Sequence, residues 1–277
     1  VLGIPYPQTA PVDVRDGLRA HLHTNFPDID PQLLERDIEA WQDLRRKCVS
    51  RAAPAGPSPL LRDYAAQLDC AVRMLKNKAG TAFPWTPGFS NAPPMQCYES
   101  IDAERAYVLL WIAAEHAQSA SCESRSTSES LKRAANEFQM AAGCLAHMAT
   151  LPLPAPLQDQ VPCLRHLMLA QAQECFWQKA VQDGLRDTTI AKLAQGVSTL
   201  YADSVALAPP SALPTDWLQH MECKRWHFAA AAMYRKSCDD LAQRRHADEL
   251  GRLMLAASYV ERARRAGTRA VATAVVD

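Results

Sequence analysis

Between Met168 and Ala194 the chain reads MLAQAQECFWQKAVQDGLRDTTIAKLA, two helical patterns with one break between them. In the first, Leu169, Ala172, Cys175, Phe176 and Ala180 recur at three- and four-residue spacing, the mark of a helix with one buried face. Asp183-Gly184 supplies the stop, since glycine readily takes the left-handed conformation that ends a helix. The polar run Arg186-Asp187-Thr188-Thr189 offers caps for a second helix through Ile190, Leu193, Val197 and Leu200. A helical hairpin of this kind cannot cover its own apolar stripe, so it requires stacked neighbours on either side.

The rest of the chain supplies those neighbours. Leu18 and Leu22 sit four apart in a helix that begins near Val12 and ends near Phe26-Pro27. Asp30-Pro31 is a cap followed by proline at the first helical position, opening a helix through Trp41 to Val49. Further helices are predicted from Leu60 to about Lys76, Glu99 to Ser121, Glu129 to about Met148 with Ser128 as cap, Trp217 to about Ala242, and Arg244 to Ala266. Proline clusters at 52–59, 151–156 and 207–214 read as loops. Two short stretches are extended: Leu2 to Pro7, where prolines 5 and 7 forbid helix and make a strand doubtful, and Phe83 to Phe89, which Pro84 and Pro87 should make irregular. The fold expected is all-α, a tetratricopeptide-like helical solenoid with a minor β element near the N-terminus.

Composition removes several functions. Thirty basic and thirty acidic side chains cancel, so there is no excess to attract nucleic acid or an anionic membrane. No apolar run approaches the about 20 residues that cross a bilayer. The nine cysteines are odd in number and scattered, pointing to a reducing, cytoplasmic setting. The first residue is valine, and an initiator or longer leader is expected to have been removed. No catalytic triad context, phosphate loop or zinc helix is present, so no enzyme activity and no cofactor is expected. His220, Cys223 and His227 share a helix face, but zinc asks for a fourth ligand that the spacing does not supply, so they are expected to be packing residues.

The strings LAQAQECFWQKA and IAKLA, with HFAAAAMYRKSCDDLAQRRHADELGRL from His227 to Leu253, resemble the BRO domain of ALIX and its relatives, most closely the PalA-type branch of the fungal pH response. EAWQDLRRKCV resembles that family's first long helix and Phe83-Pro84-Trp85 its F-x-W segment, whereas Trp111, Glu115 and His116 depart from its pattern. The resemblance implies one BRO domain over 1–277 lacking its C-terminal helices. It also implies an adaptor recruited to endosomes, whose apolar patch takes the amphipathic C-terminal helix of the core polymerising ESCRT-III subunit. Carried over position by position, the patch falls on Phe176, Thr189 and Leu193, with Thr189 standing where relatives often carry an aliphatic residue. A pH-responsive transcription factor and its protease would be further partners, through regions outside this chain. Two alternatives stand beside this: a general ALIX-like factor in multivesicular body sorting, and a tetratricopeptide-like peptide scaffold. Lysines and arginines lining the groove would favour the scaffold; an apolar strip centred on Phe176 and Leu193 would favour the ESCRT-III adaptor.

Overall fold

A computed structural model describes residues 1–273 except 29, 51–55 and 210, and the side chains of these except 31 and 268–273. Part of the predicted loop at 52–59 therefore lies outside the described residues. The chain runs β1 (Gln8–Thr9), α1 (Arg15–Asn25), α2 (Pro31–Val49), α3 (Pro59–Met74), β2 (Lys78–Thr86), β3 (Gln96–Ser100), α4 (Ile101–Cys122), α5 (Ser128–Met148), α6 (Ala155–Gln182), α7 (Asp187–Leu207), α8 (Thr215–Ala242) and α9 (His246–Thr273). From α4 onward each helix packs against the next in sequence, as in a solenoid.

Local chemistry sets most of these boundaries. Asp30 caps α2 by accepting from Gln32 N at 2.9 Å, with Pro31 in the first turn. α5 begins one residue earlier than expected and is capped by Thr127 rather than Ser128. Thr127 Oγ1 accepts from Ser130 N at 3.1 Å while Ser130 Oγ accepts from Thr127 N at 3.3 Å, a reciprocal pair that Ser128 has no counterpart to make.

The sheet is antiparallel in the order β1-β2-β3. Residues 2–7 are extended without forming a strand, as Pro5 and Pro7 suggest, and β1 begins only after Pro7. Pro84 does not disturb β2; the register slips instead between Lys78 and Phe83. β1 pairs only with Trp85 and Thr86, so Pro84 lies where β2 has an open edge on that side, and its carbonyl accepts from Thr9 Oγ1 at 2.7 Å. α1 lies against β2 so closely that a methyl on Gly17 would stand 2.5 Å from the Gly80 carbonyl.

The sheet is bolted to the helices by one buried carboxylate. Glu104, fully buried on α4, accepts from Arg45 Nε of α2 at 2.9 Å, Tyr64 OH of α3 at 2.7 Å and Trp85 Nε1 of β2. Arg45 passes its remaining donors to the Ala10 carbonyl and Thr9 Oγ1. Glu115 and His116 are likewise buried yet paired, Glu115 accepting from Ser58 N at 2.7 Å and His116 Nδ1 lying 2.7 Å from Glu137 of α5. A polar residue at a core position is tolerated when its partners come with it.

The extended N-terminal segment threads between α4 and α6. Gln118 donates to the Ile4 carbonyl at 3.0 Å, and Gln171 both accepts from Leu2 N at 2.7 Å and donates to the Leu2 carbonyl at 2.9 Å. Of the nine cysteines, Cys48, Cys163 and Cys175 are buried; burial pushes the Cys163 thiol up to about 12. Among the described residues no helix is long and apolar enough to cross a membrane.

Candidate functional site

The α6–α7 hairpin forms as its pattern requires, turning on Gly184 at φ 65°. No side chain of the 186–189 run makes the cap bond. Asp187 instead places a negative charge in the first turn of α7 and accepts from Arg235 of α8 at 2.9 Å. α6 begins at Ala155, well before the stretch first singled out, so the hairpin's first arm is 28 residues long.

The buried face of α6 holds Ala172, Cys175 and Ala180 as expected, but Phe176 leaves it, the residue being 37% exposed. Its neighbours explain why. Glu174 points inward, accepting from Tyr201 OH of α7 and from Lys224 Nζ of α8 at 3.1 Å, with Arg125 NH1 at 3.6 Å. Trp177 lies edge-on against Phe228 of α8, ring centres 5.2 Å apart. Gln178 donates to the Arg125 carbonyl at 3.2 Å. With 174, 175, 177 and 178 all held, Phe176 is the position left facing out.

α7 presents the other half. Ile190, Ala194, Val197 and Tyr201 are buried, Leu193 is half-buried and Thr189 is exposed. A methyl on Gly196 would stand 3.6 Å from Gln173 Nε2, so residues 173 and 196 face each other across the antiparallel pair. Three residues along one helix and three back along the other, the same register sets Phe176 opposite Leu193. Thr189 follows one turn further along α7. The three predicted residues thus occupy one exposed side of the hairpin, and neither Phe176 nor Leu193 is among the residues packed on the main core.

Sequence reasoning did not single out Glu174, Tyr201 and Lys224, which fix how Phe176 is presented. The signal lay in Glu174 falling three residues after Gln171 on an otherwise apolar face. His220 and His227 lie on α8 nearby. Burial above all holds His220 at about 4, and burial, then Lys224, lowers His227. No group of three His, Cys, Asp or Glu among the described residues is arranged to hold a metal ion.

The fold has known counterparts. Residues 1–276 match the BRO1-like domain family. The chain belongs to that family. The BRO1-like domain here is 38% identical over 276 residues to the pH-response regulator protein palA/RIM20 of Emericella nidulans, covering 95% of this chain and 32% of that protein. It is 37% identical over 266 residues to palA/RIM20 of Aspergillus oryzae, covering 91% of this chain and again 32% of the relative. The chain thus spans about a third of the length of these curated relatives. Among solved structures, an ALIX BRO1 CHMP4C complex superposes with a TM-score of 0.81 at 25% identity, covering 94% of this chain and 79% of that one. The BRO1-like domain's helical fold and N-terminal sheet are those of this family.

Proposed function

We propose that this BRO1-like domain is a non-enzymatic adaptor that docks on the C-terminal amphipathic helix of the core polymerising ESCRT-III subunit at endosomes, using Phe176, Thr189 and Leu193. The observation that carries this is the exposed phenyl ring of Phe176 set opposite Leu193 across the hairpin. An apolar strip between two parallel ridges suits helix-in-groove recognition, in which the partner's side chains at i, i+3, i+4 and i+7 fill the furrow. The similarity to a BRO1 domain solved with CHMP4C supports the class of partner. The palA/RIM20 relatives support a place in ambient alkaline pH signalling. There, a transcription factor and its protease would be gathered through regions outside residues 1–277, and co-localisation on one polymer would raise their effective concentration.

Burying a few side chains at about 25 cal/mol per Å2, less the cost of association, gives a weak to moderate and reversible contact. The experiment is a calorimetric titration of the domain with that C-terminal helix as a peptide, beside Leu193→Asp. Saturable binding weakened at least about tenfold by the substitution, with helix content unchanged by circular dichroism, supports the adaptor. Absence of binding by the unsubstituted domain sinks it.

The outer side of α9 exposes Leu250, Leu253, Met254 and Val260 at helical spacing, and in this proposal helices beyond residue 277 cover it, completing the single domain.

A further inference from the structure

α7 has a second exposed flank. Gly196 turns toward α6, whereas Ser198 Oγ donates to the Arg225 carbonyl of α8 at 3.0 Å, so α7 lies between the two. On the α8 side a groove of about 280 Å3 opens between α7, α8 and α9. Ala191, Ala232 and Met233 form its apolar floor, and Lys192, Lys236 and Arg252 stand along it. No carboxylate lines it. Arg252 is bound to Asp240, but neither lysine has an ion-pair partner among the described residues, and both are exposed. Two unpaired ammonium groups over a small apolar floor, in a chain of zero net charge, are a local excess of one sign.

Lys192 and Leu193 are adjacent on α7, about 100° apart around the helix, so groove and apolar strip are the two shoulders of one ridge. A ligand lying on the strip needs to cross only the width of α7, about 10 Å, to reach the lysines. Four or so extended residues span that distance.

We propose that this groove takes an acidic segment continuous with the amphipathic helix that fills the strip, so that the partner is read twice, by apolar side chains at Phe176 and Leu193 and by carboxylates at Lys192 and Lys236. The inference rests on the reading of the strip given above. Its charge complementarity is specific: a flank of glutamates or aspartates is favoured, a flank of lysines is repelled, and small side chains fit the alanine floor.

The test uses two synthetic peptides that share one amphipathic helix and differ only in a flanking segment, four glutamates in one and four glutamines in the other. Each is titrated into the whole chain at about 50 and about 300 mM salt, the span over which screening of exposed pairs deepens. The glutamate peptide is expected to bind roughly five- to tenfold more tightly at low salt and to lose that advantage at high salt. Lys192→Gln with Lys236→Gln should equalise the two peptides while leaving the glutamine peptide's affinity unchanged. Leu193→Asp should weaken both. Equal binding of the two peptides, still abolished by Leu193→Asp, overturns the inference and leaves the strip standing. Binding of the glutamate peptide that Leu193→Asp does not touch means that the groove recognises acidic segments independently of the strip, and overturns the continuity proposed here. Failure of both peptides to bind overturns strip and groove together.

Discussion

Glu104 shows how one residue holds separate parts of the chain. It receives donors from α2, α3 and β2, at sequence distances of 59, 40 and 19 residues. Glu104→Ala leaves Arg45 charged and buried with no carboxylate, and breaking a buried pair in this way costs about 3–5 kcal/mol; urea unfolding followed by circular dichroism should give a loss of that size. His220 makes a second prediction, in pH. An unfolded histidine titrates near about 6.5, whereas the folded ring takes its proton only near about 4. Between these values the unfolded chain binds the extra proton, so the stability His220 contributes is present above about 6.5 and is lost as pH falls toward about 4. His227, also lowered, acts in the same sense. His220→Gln should therefore shrink the drop in urea midpoint between pH 7 and pH 5; an unchanged drop contradicts this. Neither residue's role was legible in the sequence. Glu104 and Glu115 find their partners 19 to 59 residues away in the chain, and spacing along one helix carries no trace of them.

At the scale of elements the sequence was far more informative, because caps and breaks are local. Asp30-Pro31 and Gly184 announce their boundaries unaided, whereas Thr127 and Ser128 are both able caps and only the returning bond from Ser130 decides between them. Gly184→Ala tests the turn. A methyl there meets nothing within 4 Å, so the cost is backbone strain alone at φ 65°, about 1 kcal/mol, to be read from the thermal midpoint. The hairpin's outward face was the hard part. Phe176 follows Cys175 on the edge of the apolar stripe, and periodicity placed it inside; the inward hold on Glu174, Trp177 and Gln178 is what turns it out. Thr189 belongs to the same face and brings a hydroxyl where an apolar side chain would fill the furrow. Thr189→Ile should tighten peptide binding about three- to tenfold, about one more buried methylene or two. A weaker complex would place Thr189 outside the contact.

Across the whole molecule, the successive packing of α4 to α9 makes the solenoid a row of nearest-neighbour contacts, and that is why a sequence read as hairpins led to the right architecture. The small residues Ala229, Ala230 and Ala232 are buried where α8 meets its neighbours, as tetratricopeptide-like packing suggests, but Tyr234 is 53% exposed and takes no part in the core. Besides the Glu104 cluster, the loop between β2 and β3 reaches this row through Phe89 against Trp217, ring centres 5.1 Å apart, and Asn91 donating to the Ser211 carbonyl at 3.0 Å. These long-range contacts bring the first hundred residues onto α8, and no local pattern foretells them. The central claim is that the strip itself touches the partner helix, and a double-mutant cycle measures that contact. Leu193→Ala and Phe176→Ala in the domain would each be crossed with alanine at every apolar position of the ESCRT-III helix peptide, with Met74→Ala, exposed on α3, as the control. The account predicts coupling of about 1 kcal/mol for at least one peptide position with each of Phe176 and Leu193, and additivity for Met74. Additivity throughout, with binding intact, would contradict it and place the partner helix elsewhere on the solenoid.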